Sequence, residues 1–183
     1  MTYEIDIAGM KRQLPLCPVT DDLYIGAFVM FGDVELTVHA AAELLKRVPE
    51  FDYIVAPEAK SIPLAYEMSR QSGINYLIAR KKAKAYMTGV FEVRVQSITT
   101  AGEQTLIIDT ADAEKIRGKR VLILDDVIST GESLKGLETL CEQVGAEICG
   151  RLCILAEGDA IDRPDVGYLE KLPLFTHEGT PIW

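Results

Sequence analysis

The chain has 183 residues, 48% of them hydrophobic and 26% charged, with a formal net charge of −9. That length suits one domain with a sizeable core, and the composition excludes a disordered chain. The acidic balance disfavours a nucleic-acid binder that neutralises phosphates, but it leaves room for a small polyanion held by helix termini and a few cations. No stretch approaches about twenty apolar residues and no charged-then-apolar leader opens the chain, so a cytoplasmic protein with no membrane partner is expected. Cys17, Cys141, Cys149 and Cys153 lack paired metal-ligand spacing, and His39 and His177 lie near no Cys pair. Reduced, mostly buried thiols are expected. Cys149 and Cys153, four residues apart on an expected strand, should share a face.

In chain order, the first thirty residues read as β-rich and irregular, with short extended runs at Tyr3 to Ile7 and Leu23 to Met30 and the stretch between them broken by Pro15 and Pro18. From Val34 the apolar spacing turns helical through Val38, Ala41, Ala42, Leu44 and Leu45, until Pro49. A short apolar strand, Tyr53-Ile54-Val55-Ala56, leads through a Pro-bounded loop into a helix over Ser61 to Gln71 that ends near Gly73. The next strand, Tyr76 to Ala79, runs into the densest basic stretch of the chain, Arg80-Lys81-Lys82-Ala83-Lys84. Phe91 to Ser97 and Leu106 to Asp109 read as a hairpin or a pair of extended arms. A buried strand then spans Val121 to Leu124, a helix about Glu132 to Val144, and a strand about Glu147 to Leu155. Leu172-Pro173-Leu174-Phe175 suits an edge strand. Alternating strands and helices imply an α/β fold with a doubly wound, mostly parallel sheet, and ligands of such sheets sit at the strands' carboxyl ends.

The stretch that carries most chemistry is Val121-Leu122-Ile123-Leu124-Asp125-Asp126-Val127-Ile128-Ser129-Thr130-Gly131-Glu132-Ser133. Its apolar residues suit a central strand covered on both faces. Two adjacent carboxylates at such a strand's end are costly unless solvated or partnered, and they can accept hydrogen bonds from a ribose diol. Ser129, Thr130 and Ser133 offer hydroxyls, Gly131 lets the backbone approach a ligand, and the helix amino end suits a phosphate. The segment therefore asks for a sugar and a phosphate together. No Gly-Lys-Ser/Thr follows the strand, so it is not a Walker A loop.

This run resembles the PRPP-binding signature of the type I phosphoribosyltransferases, at nearly every position from Asp125 to Ser133. The resemblance implies the fold of that family, with a small hood and a flexible loop on a single domain of residues 1–183, residues 1–33 contributing to the hood. It implies that Asp125 and Asp126 hold the ribose and act in catalysis, while Ser129, Thr130, Gly131 and Ser133 anchor the 5′-phosphate. Glu58, Ala59, Lys60 and Ser61 then form the pyrophosphate loop, with a cis peptide expected at Ala59–Lys60. Arg80, Lys81 and Lys84 would neutralise the diphosphate from the neighbouring loop. Magnesium would arrive bound to PRPP rather than in a protein cage. Glu132 stands where many relatives have a small residue and should face outward from the first helical turn.

Base recognition is implied more loosely. Phe31-Gly32-Asp33-Val34 is similar to the Phe-Arg-Asp-Ile segment of adenine enzymes, so Phe31 would sandwich a purine against Val127, with Gly32 lacking the arginine. Glu157 would contact an exocyclic amine. Tyr86 to Gly102 matches the loop that closes over the substrates and excludes water. Within it, Thr100-Ala101-Gly102 replaces the Glu-Tyr-Gly of adenine enzymes, and Ser97-Ile98-Thr99 is closer to xanthine enzymes. Ser129 occupies the position of the aspartate in hypoxanthine/guanine enzymes, which argues against that acid–base arrangement. The orotate pattern is also incomplete, since Tyr86 stands near where its histidine would be. The reading is a purine phosphoribosyltransferase of the adenine/xanthine branch that takes PRPP and a purine base, uses Mg2+, and forms a homodimer. No residue is an obvious general base. The alternatives are a non-catalytic PRPP sensor, disfavoured by the lack of a basic face or added DNA-binding segment, and an enzyme for another base such as orotate.

Overall fold

A computed structural model describes residues 1–96 and 103–183. The Ser97-Ile98-Thr99 and Thr100-Ala101-Gly102 positions lie outside the described residues. Three short strands open the chain: β1 (Thr2–Ile7), β2 (Met10–Pro18) and β3 (Leu23–Gly26). Then come α1 (Val34–Leu45), β4 (Tyr53–Pro57), α2 (Ile62–Ser72) and β5 (Tyr76–Ala79). A hairpin of β6 (Val90–Gln96) and β7 (Glu103–Asp109) leads to α3 (Thr110–Ile116). Next are β8 (Arg120–Ile128), α4 (Glu132–Val144), β9 (Glu147–Glu157) and a 3-10 turn over Gly158–Asp162. The chain finishes with β10 (Gly167–Leu172), β11 (Leu174–Thr176) and β12 (Pro181–Ile182).

The central sheet has the order β10-β9-β8-β4-β5, and every adjacent pair is parallel. Its strands are apolar on both faces because both faces are covered. Leu122, Leu124 and Ile154 pack toward α1 and α2 with Leu36, Leu44, Leu64 and Met68. Val121, Ile123 and Cys153 pack the other way, toward α3 and α4 with Ile116, Leu137 and Leu140. From β4 the chain steps outward to β5 and then returns to the opposite side of β4 as β8. The crevice between the carboxyl ends of β4 and β8 is therefore the topological switch point. The doubly wound parallel sheet matches the expectation from sequence.

Two left-handed glycines bracket α4, Gly131 at φ +81° and Gly145 at φ +75°, and they set the boundaries that the sequence pattern predicts. Gly136, inside this helix, has a packing reason. A Cβ there would lie 2.4 Å from Val95 Cγ1 and 2.9 Å from Leu106 Cδ1, so its absence lets the β6–β7 hairpin lie on α4.

A second, antiparallel sheet has the order β1-β2-β3-β11-β12 and joins both ends of the chain. Two sequence expectations change here. Pro15 does not break an extended run but lies within β2, at the position where β2 stops pairing with β1 and starts pairing with β3. Its missing N–H falls at that changeover, while its carbonyl accepts the N–H of Ala27 at 2.8 Å. Leu172 to Phe175 is not one edge strand: Leu172 ends β10 of the parallel sheet, and after Pro173 the chain enters β11 between β3 and β12. The cysteine expectation also changes. The register of β8 on β9 slips at Val121/Leu122, so Cys149 packs on the α1–α2 side and Cys153 on the α4 side.

Candidate functional site

The carboxyl end of β8 delivers two acids that the fold encloses. Asp125 is 8% exposed and Asp126 4%. The Asp126 N–H donates to Asp125 Oδ1 at 2.8 Å. Burial first, and the neighbouring Asp126 carboxylate second, push Asp125 well above the usual carboxylate range. Asp126 Oδ2 lies 3.0 Å from Lys60 Nζ, which reaches over from the loop after β4. The ammonium is at ion-pair distance but not at a hydrogen-bonding angle, so Asp126 Oδ2 is buried with its hydrogen-bonding capacity unused.

That loop is tied at both ends. Its cis peptide is Glu58–Ala59, one residue before the Ala59–Lys60 bond expected from the resemblance. Ser61 is fully buried and donates its hydroxyl to the Pro57 carbonyl at 2.6 Å, so it shapes the loop instead of facing the crevice. The Glu58 carboxylate turns to the next loop, where it accepts the Lys81 N–H at 3.0 Å and sits 3.3 Å from Arg80 Nε. The Lys81 N–H, helped by Arg80 and Lys84, holds the Glu58 carboxyl below its ordinary range. Arg80 also exchanges two backbone hydrogen bonds with Ile107 of β7, each 2.8 Å. Ala59, Lys60 and Lys81 are exposed and Lys84 is half-buried. The loop that carries Lys60 and the basic loop after β5 thus stand side by side, and Glu58 joins them.

Past β8 the chain turns through Ser129 and Thr130 into Gly131, which begins α4. Thr130 and Ser133 are exposed, whereas Ser129 is half-buried. Glu132 borders a depression between α4 and β6, lined also by Val93, Arg94 and Lys135, and so lies on the hairpin side of the helix. At the end of β9, Glu157 is 6% exposed. Burial raises its carboxyl, opposed by a hydrogen bond from the Ser129 side chain and by the charge of Lys60. The register of β8 on β9 places Ile128 opposite Ala156, which brings Ser129 and Glu157 together across adjacent strands. Val127 is half-buried on the α1–α2 side, and Phe31 is 53% exposed in the loop before α1.

The structure thus gathers Lys60, Asp125, Asp126, Ser129 and Glu157 within one crevice and Glu58, Arg80 and Lys81 beside it. Sequence reasoning missed Arg163. A Cβ on Gly131 would come within 3.2 Å of Arg163 Nη1. The signal available was position alone: Arg163 follows the carboxyl end of β9, the same sheet edge that carries the other loops.

Comparison with known proteins agrees with this geometry. The family described as "Phosphoribosyl transferase domain" matches residues 35–172. The chain is 32% identical over 143 residues to a hypoxanthine/guanine phosphoribosyltransferase of Methanococcus voltae, covering 78% of this chain and 70% of the relative. It is 31% identical over 148 residues to an adenine phosphoribosyltransferase of Cenarchaeum symbiosum, covering 80% and 84%. The crystal structure of an adenine phosphoribosyltransferase from Thermoanaerobacter pseudethanolicus shares the fold, with a TM-score of 0.67 and 22% identity over 93% of this chain and 95% of that one.

Proposed function

The chain belongs to the phosphoribosyl transferase domain family, and from that premise we propose that it is a purine phosphoribosyltransferase. The anomeric C–O bond of PRPP breaks, the electron pair leaves with pyrophosphate, and a C–N bond forms to a purine that gives up its ring-nitrogen proton. The products are a nucleoside 5′-monophosphate and pyrophosphate. What supports this most is one juxtaposition: the buried Asp125–Asp126 pair meets Lys60 across the switch point and leads directly into the amino end of α4.

In this reading the two aspartates line the ribose. Asp125, raised by burial and by Asp126, and Asp126 both offer carboxyl oxygens to the ribose hydroxyls. Their shared negative charge favours the positive charge that grows on the ribose as the leaving group departs. Ser129, Thr130, Gly131 and Ser133 bind the 5′-phosphate with the free N–H groups of α4. Ala59, Lys60, Arg80, Lys81 and Lys84 receive the diphosphate. Glu58 binds the two loops to each other, since its carboxylate would repel that ligand directly. Phe31, Val127 and Glu157 face the base.

Magnesium fits this set as a companion of PRPP. Among the described residues no three His, Cys, Asp or Glu side chains are grouped to hold an ion. The crevice instead offers one buried, unused carboxylate oxygen on Asp126. When bound with PRPP, the ion would supply positive charge to the diphosphate, with Asp126 the residue beside it. The proposal includes one domain over residues 1–183, a hood built on the antiparallel sheet, a cytoplasmic location, and a homodimer. Val34 and Val38, exposed one turn apart on α1, supply an apolar face for that dimer. No described helix is long and apolar enough to cross a membrane.

The test is pyrophosphate release from PRPP and Mg2+ with adenine, hypoxanthine, guanine, xanthine and orotate supplied one at a time. Turnover with at least one purine is expected. Tight PRPP binding without turnover on any base would overturn the enzyme reading, and turnover on orotate alone would overturn the purine.

A further inference from the structure

We propose that Arg163 is an additional phosphate-binding residue, an arm that reaches the loop at the start of α4 from the turn after β9. This role rests on the proposed function, because it takes that loop to hold the phosphate monoester of the ribose. Two observations carry it. The first is proximity: Arg163 Nη1 would be 3.2 Å from a Cβ at Gly131, the residue that begins α4 with φ +81°. The positive φ favours glycine at this position, and the guanidinium tip lies beside the face that a side chain would occupy.

The second is that the guanidinium is aimed. Arg163 Nε donates to Asp165 Oδ1 at 3.0 Å and Nη2 to Asp165 Oδ2 at 2.7 Å, a two-point grip that fixes the plane of the group. Nη2 also lies 3.7 Å from Glu138 Oε1 on α4. Glu138 is in turn paired with Arg151, whose Nε is 3.4 Å from Asp165 Oδ2. Two arginines and two acids therefore form a closed network in which neither acid uses Arg163 Nη1, and Nη1 is the edge that faces Gly131. The network sets a cation beside the loop and spends only one side of its fork on structure.

Carboxylates stand on either side of this loop. Glu132 puts a carboxylate in the first turn of α4, where the helix end would otherwise favour an anion without opposition. Asp125 and Asp126 add negative character one strand-end away. The Nη1 edge of the guanidinium, which neither Asp165 nor Glu138 uses, suits an oxygen of a phosphate monoester.

The experiment is calorimetric titration of the full chain with ribose 5-phosphate, PRPP and pyrophosphate, for wild type, Arg163→Gln and Arg163→Lys. Pyrophosphate is the control, because its proposed loops lie across the crevice from Arg163. Arg163→Gln should weaken ribose 5-phosphate and PRPP by roughly tenfold and leave pyrophosphate unchanged. Arg163→Lys, which keeps the cation and loses the fork, should recover part of that loss. Wild-type affinity for ribose 5-phosphate in Arg163→Gln would overturn the arm. So would an equal loss for all three ligands, which marks a purely structural fastening of the turn to α4. If Arg163→Gln does not fold, Arg163→Lys decides by the same contrast between ribose 5-phosphate and pyrophosphate. A wild type that binds pyrophosphate but not ribose 5-phosphate would overturn the site reading and the arm together, whereas the other negative results remove only the arm.

Discussion

Strands β4 and β8 lie side by side, and the two ends of this pair hold aspartates in opposite circumstances. At the amino ends, Asp52 accepts the backbone N–H of Arg120 at 2.9 Å and its guanidinium at 3.0 and 3.2 Å. The guanidinium first, and the N–H second, hold its carboxyl down at about 2. At the carboxyl ends, Asp125 is pushed up by burial and by Asp126, and Asp126 keeps a buried oxygen with no hydrogen bond. Residue type and strands are the same; only the partners differ. Where the chain supplies both counter-charge and hydrogen bonds the acid stabilises the fold, and where it leaves hydrogen bonds unmade, as at Asp126 Oδ2 beside Lys60, a ligand has something to complete.

The contrast breaks most sharply at Asp126. Asp126→Asn keeps the shape and removes the charge, so kcat/KM for PRPP should fall by about a hundredfold or more. Steady-state pyrophosphate release measures this, and near-wild-type activity would show that the unanswered oxygen is not where the ribose binds. Lys60→Gln should have the next largest effect. It removes the cation beside Asp126 and one proposed diphosphate contact, and should weaken PRPP by roughly tenfold with ribose 5-phosphate less affected. Equal losses for both ligands would move Lys60 from the diphosphate to the ribose.

How much of this was legible depends on how local each cause is. The run from Val121 to Ser133 carries its own chemistry, because acids, hydroxyls and a glycine at fixed spacing constrain one strand and one turn. The limits of α4 were readable for the same reason, since Gly131 and Gly145 mark them in the sequence. What escaped depends on pairing between distant segments. Arg163 gains meaning only because β9 lies beside β8. The place of Phe175 inside the second sheet depends on Tyr24, some 150 residues earlier in the chain. The seven-residue α3 was too short for a periodic pattern, and the slip that separates Cys149 from Cys153 is a property of the β8–β9 pair. Glu58 was readable as a loop residue, but its turn toward Lys81 and away from the crevice was not.

A smaller effect should appear in stability. Asp125 has a raised folded-state pKa, so its contribution is fully present below the unfolded value near 4 and is lost as pH rises through the folded one. Asp125→Asn removes that loss. The variant should match the wild type in acid and become more stable than it as pH climbs, while losing activity. Thermal unfolding at a series of pH values measures the difference. A pH-independent gap would mean that the acid pair carries no burial penalty.

The smallest effect belongs to the other end of the strands. Asp52 has a lowered folded-state pKa, so its stabilisation is present above the unfolded value near 4 and is lost as pH falls through about 2. The group is solvent-accessible, and an exposed ion pair contributes little even with good geometry. Asp52→Asn should therefore lower the melting temperature only slightly at neutral pH, and the difference should vanish in strong acid. Its dependence on pH is opposite in sign to that of Asp125→Asn. Catalysis and PRPP affinity should stay at wild-type values, because the residue lies at the far end of β4 from Lys60. A clear loss of PRPP affinity in Asp52→Asn would show that the two ends are coupled through β4 and β8, and the division between a satisfied end and a working end would have to be given up.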